Sequence, residues 1–105
     1  MSRDGSRLLM ELDKYRREVN REKINPTLAA VELDTFLPVI KICAEARANY
    51  IECLMEIANN DSDESCNLSQ IEQLKQHRIA YEELVSAANA LETVIKRGYV
   101  DVKGT

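Results

Sequence analysis

Apolar positions along the chain recur at helical spacing in three stretches. In the first, Leu8, Leu12, Tyr15 and Val19 are separated by four, three and four residues, one stripe on a helix whose other face carries the charged runs KYRRE and NREK. Ser6 is placed to cap this helix, and Asn25-Pro26 stops it near Ile24, with Pro26 opening the next element. The second stretch keeps phase through Ala29, Leu33, Phe36, Ile40 and Cys43, then through Val39, Cys43, Ala46, Tyr50, Cys53 and Ile57. Pro38 falls inside it, and an interior proline costs about 3 kcal/mol; because the phase survives, the pattern predicts one helix kinked there. In the third, Leu74, His77, Tyr81, Leu84, Ala88, Leu91 and Ile95 form a heptad-like stripe. Ser69 and Glu72 offer a capping box at its start, and Gly98 suits the residue just past its end.

The expected elements are therefore helices at about 7–24, 26–59 and 69–97, with an extended tail at 99–105. The fold class is all-α: a three-helix bundle built on a long antiparallel hairpin, its second helix kinked at Pro38, in a single domain 1–105. Composition agrees. Gly and Pro total only five of 105 residues, too few for the many turns of an all-β fold, and a chain of this size is typical of one domain. Hydrophobic residues make up 45% and charged residues 30%, the balance of a folded chain rather than a disordered one.

The stripes leave apolar surface over. After Pro38 the polar residues Lys41, Glu45, Asn49, Glu52 and Glu56 occupy a narrow arc of the second helix, and most of the remainder is apolar or Ala, interrupted by Arg47. The third helix carries a weaker second stripe at Ile79, Ala87, Ala90 and Val94. One partner helix covers only about 100° of a helix surface. The surplus predicts self-association, a homodimer, through Ile40, Cys43, Tyr50, Ile51, Leu54 and Ile57. The function that follows is non-enzymatic: a small cytoplasmic helical interaction module, acting as adaptor, assembly factor or secretion-type chaperone, that binds a protein partner through apolar helix faces.

Charge and candidate chemistry add two alternatives. Residues 1–25 hold seven Lys or Arg against five Asp or Glu, while the rest of the chain is acidic and the net charge is -4. The cluster Lys14, Arg16, Arg17, Arg21 and Lys23 raises a nucleic-acid-associated regulator using the first helix. Its acidic neighbours Asp13, Glu18 and Glu22 point instead to a solvated, salt-bridged face, with Asp13 reaching Arg17 one turn on. In NDSDESCNLSQIE, Asp61, Asp63, Ser65, Asn67, Ser69 and Glu72 take positions 1, 3, 5, 7, 9 and 12 of a twelve-residue window. The window resembles an EF-hand loop, which implies a calcium-responsive helix pair. Cys66 stands where that loop has its turning glycine, the flanking Asn60 and Gln73 are polar, and no second copy exists, so the residues favour a capped acidic turn over a calcium site.

No cofactor is expected. His77 is the only histidine, which rules out a bundle site needing paired Glu-x-x-His motifs, and it lies on the apolar stripe, where it reads as a packed side chain. Glu52 and Glu56 read as a solvated pair. Cys43, Cys53 and Cys66 form no CxxC pair, which suits reduced thiols in the cytosol. No run reaches the roughly 18 apolar residues of a membrane span.

Overall fold

A computed structural model describes residues 3–60 and 67–103 of the chain. The described residues are all-helical in character, with helix–helix packing: α1 (Arg3–Ile24), a 3₁₀ turn (Asn25–Thr27), α2 (Leu33–Ala58) and α3 (Leu68–Lys96). Among the described residues the one β contact is an isolated parallel bridge between Val31 and Val102. The chain divides into two compact units, Met1–Thr35 with Ala90–Thr105, and Phe36–Asn89.

α1 starts earlier than its pattern predicts. Arg3–Ile24 is helical, so Ser6 lies inside the helix instead of capping it. Asp4 in the first turn and Arg21 and Lys23 in the last complement the helix dipole at both ends.

The second element differs more. Pro26 opens only a single 3₁₀ turn; Leu28 then takes an extended conformation, φ -124° and ψ 135°, and α2 begins at Leu33 rather than at Pro26. Ala29 is therefore not part of the α2 stripe. The cause is a pairing far along the chain. The Val31 amide donates to the Asp101 carbonyl and the Lys103 amide donates to the Val31 carbonyl, both at 2.8 Å, which holds the segment before α2 extended. α2 is then capped locally: the Glu32 amide donates to Thr35 Oγ1 at 3.1 Å, the back-reaching half of a capping box. The helix runs without interruption through Pro38.

The first unit closes around that bridge. Val31 is 1% exposed, and Tyr99 and Val100 are buried with it. Residues 99–103 carry the Val102 end of that bridge and are tied down. Arg21 donates through Nη1 to the Gly98 carbonyl at 2.9 Å and through Nη2 to Asp101 Oδ1. The Asp101 amide donates to Asn25 Oδ1 at 2.9 Å. So Arg21 is no member of a solvent-facing charge ladder; it fastens the tail.

Gly98 makes this path possible. It sits at φ 73°, its amide donates to the Ile95 carbonyl and the Tyr99 amide to the Val94 carbonyl, each at 3.0 Å. That is a Schellman closure of α3. An added Cβ would meet nothing within 4 Å, so Gly98→Ala tests the backbone conformation alone. It is expected to cost about 1–2 kcal/mol in urea unfolding.

α3 opens one residue before Ser69, and its capping box lies two residues earlier than Ser69–Glu72. The Gln70 amide donates to Asn67 Oδ1 at 2.8 Å, and the Asn67 amide donates to Gln70 Oε1 at 2.9 Å. Both pairs fit the same spacing rule, and Asn and Ser rank together as N-cap residues, so local preference alone does not choose between them. Glu72 instead accepts from Gln76 Nε2 at 3.0 Å, one turn on. Asn67→Ala is therefore expected to lower stability by about 1 kcal/mol. Ser69→Ala, now a change inside the first turn, should stay within about 0.5 kcal/mol in the same thermal melts.

Candidate interaction surface

α2 carries two apolar faces. The inner seam is Val39, Cys43, Ala46, Tyr50, Cys53 and Ile57; Ala46 and Cys53 are buried and the other four half-buried. On α3 all seven residues of the heptad stripe, from Leu74 to Ile95, are half-buried, His77 among them. Within the second unit the two helices meet at Tyr81. Its ring centroid lies 6.2 Å from that of Tyr50 at an interplanar angle of 38°, a tilted pair of favourable geometry. Arg47 donates through Nε and Nη2 to the Tyr81 hydroxyl at 3.1 and 2.8 Å. The cation that interrupts the apolar arc of α2 is thus turned towards a specific partner.

The outer stripe of α2 is Leu37, Ile40, Ala44, Ile51 and Met55, with Leu54 beside it. All six are exposed, and Ile40, Ile51 and Leu54 keep 59%, 51% and 46% of their surface. A helix of 26 residues with only two of them buried holds apolar area that its own fold does not use. The six residues expected to form an interface therefore divide. Ile40, Ile51 and Leu54 stand on the outer stripe, whereas Cys43, Tyr50 and Ile57 belong to the inner seam. On α1, Leu8, Leu12 and Tyr15 are exposed as well, and only Val19 of that stripe is half-buried.

Of the basic cluster, Lys14, Arg16, Arg17 and Lys23 are exposed and Arg21 is half-buried at the tail. Asp13 pairs with Arg16 at 2.6 Å, not with Arg17. Lys96 and Arg97, which the sequence pattern explains only as a favourable helix end, join Asp13, Arg16, Arg17 and Tyr99 around a cavity of about 280 Å³. Nothing local in the sequence signals that grouping, because α1 and the end of α3 are brought together by the docked tail.

The remaining candidates are placed as follows. Asp61, Asp63 and Ser65 of the calcium-like window lie outside the described residues, as does Cys66. Asn67 and Glu72 use their side-chain oxygens in the hydrogen bonds above, and Ser69 is exposed. Among the described residues no group of three or more His, Cys, Asp or Glu is arranged to hold a metal ion. Cys43 and Cys53 are free thiols, half-buried and buried, and Glu52 and Glu56 are exposed. No described helix is long and apolar enough to cross a membrane. No family model, no curated protein and no solved structure matches the sequence.

Proposed function

We propose that this protein is a non-enzymatic, cytoplasmic helical interaction module of the adaptor, assembly-factor or chaperone kind, and that it works as a homodimer. In this reading α2 and α3 form an antiparallel hairpin, α2 bending at Pro38. The outer stripe of α2 takes a second copy, and the exposed apolar face of α1, with Leu8, Leu12 and Tyr15, takes the partner protein. One observation carries it: Ile40, Ile51 and Leu54 share an apolar surface that stands open to solvent along α2. Burying about 500 Å² more apolar surface per chain contributes on the order of 12 kcal/mol before association costs, at about 25 cal/mol per Å². Those costs run to about 4–15 kcal/mol, so a face of this size sustains a dimer only if most of the stripe engages.

The surface is tested by isotope-filtered NOE spectroscopy on a mixture of labelled and unlabelled chains. Intermolecular contacts at the methyl groups of Ile40, Ile51 and Leu54 are the expected result. Intermolecular contacts confined to other residues, or none, would refute the assignment. The nucleic-acid alternative loses support from Arg21, which is committed to Gly98 and Asp101.

A further inference from the structure

The cavity between α1 and the end of α3 collects four cations within one small space. Arg16 and Arg17 come from α1, and Lys96 and Arg97 from the last turn of α3 and the residue after it. Among the described residues Asp13 is the single acid on its wall, and its ion pair is with Arg16, at 2.6 Å. Among the described residues no ion pair engages Arg17, Lys96 or Arg97. In a chain of net charge -4, a concentration of unpaired like charges is costly by self-repulsion. The negative end of the α3 dipole offsets part of that cost at Lys96 and Arg97; it does nothing for the pair on α1.

The four cations are exposed, but the floor of the site is fixed. Tyr99 lies beneath, buried, and the backbone behind it is fixed by the Schellman closure and the Val31 bridge. Three of the four cations are arginines, whose planar forks match carboxylate oxygens in pairs. Along α1 a second, larger hollow of about 450 Å³ is lined by Met10, Asp13, Lys14, Arg17 and Glu18. It shares Asp13 and Arg17 with the first. The two therefore adjoin along α1, with four cations at the α3 end and, at the other, Met10, 73% exposed, between Lys14 and Glu18.

We infer that this groove is a binding site for a short acidic peptide segment of a partner protein. Its carboxylates pair with Arg17, Arg97 and Lys96, and an apolar side chain rests on Met10. The shape and charge argue for a peptide over a nucleic-acid backbone. The cations are densest at the α3 end, Glu18 stands beside Lys14 on the wall of the second hollow, and a phosphate chain tracking along α1 would meet that carboxylate. The site is independent of the outer face of α2 and shares no residue with it.

The test is fluorescence anisotropy with a short fluorescein-labelled peptide of glutamates and a single leucine, titrated with the full chain. Its controls are the same peptide with glutamines and a single-stranded oligonucleotide of equal charge. Binding is expected for the acidic peptide alone, and should weaken several-fold between about 0.05 M and about 0.3 M salt as screening shortens the reach of the charges. The double substitution Arg17→Ala/Arg97→Ala should weaken it about tenfold with an unchanged circular dichroism spectrum. Asp13→Asn releases Arg16 from its pair and should tighten binding about threefold. This last variant removes no cation, and it decides the matter if the double substitution disturbs the fold. No binding at low salt, equal binding of the glutamine peptide, tighter binding of the oligonucleotide, or an Asp13→Asn affinity that is unchanged or weaker would each overturn the proposal.

Discussion

Replacing Ile51 with glutamate, or Leu54 with lysine, is expected to yield a folded monomer in place of a dimer. Both side chains are about half exposed in the chain, so a charge there changes the stability of the chain itself by only about 0.5 kcal/mol. Across a two-fold interface the same charge appears twice and has no partner on either side. An uncompensated charge in a buried contact costs about 3–5 kcal/mol, and about 4 kcal/mol is a thousandfold in dissociation constant. Circular dichroism with light scattering separates the outcomes: native helix content at half the mass is the expected pair. The contrast is Cys53, buried on the inner seam, where a charge should unfold the chain. If Ile51→Glu behaves like a Cys53 substitution, the outer stripe is not an interface.

The second large effect lies in the docked tail. Tyr99→Ala is expected to destabilise the protein by about 3 kcal/mol, the lower end of the range for deleting a buried aromatic ring. That is a sizeable share of the 5–15 kcal/mol typical of a domain. Tyr99 is buried, as are Val31 and Val100, in the unit that contains the Val31–Val102 bridge. The amides of Val31 and Lys103, which donate across that bridge, should lose most of their hydrogen-exchange protection. Arg21→Ala, which removes a surface ion pair and a bond to the Gly98 carbonyl, should cost less, about 1–2 kcal/mol. A Tyr99→Ala protein as stable as the parent would mean that the tail is not part of the folded unit.

The third helix was the most legible element. Its heptad spacing, its basic last turn and Gly98 are local signals, and the seven stripe residues are all half-buried. The start of the second helix was not legible, because what keeps residues 28–32 out of the helix is a bridge from Val31 to Val102 that no local pattern announces. The cap of α3 was ambiguous for a different reason: Asn67-x-x-Gln70 and Ser69-x-x-Glu72 satisfy the same rule two residues apart. The apolar arc of α2 divides between an inner and an outer face, and hydrophobicity alone does not tell which edge faces α3. Tyr50 goes inward to Tyr81 while Ile51, its neighbour, stays outside. The basic groove depends on placing α1 beside the end of α3, and residues as far apart as Arg16 and Arg97 carry no sequence sign of it.

Self-association through the outer stripe of α2 is the claim on which the functional reading rests. Sedimentation equilibrium of the unmodified protein, followed from high to low micromolar concentration, measures it directly. The account predicts a dimer that dissociates only on dilution. A single monomeric species at tens of micromolar would contradict it.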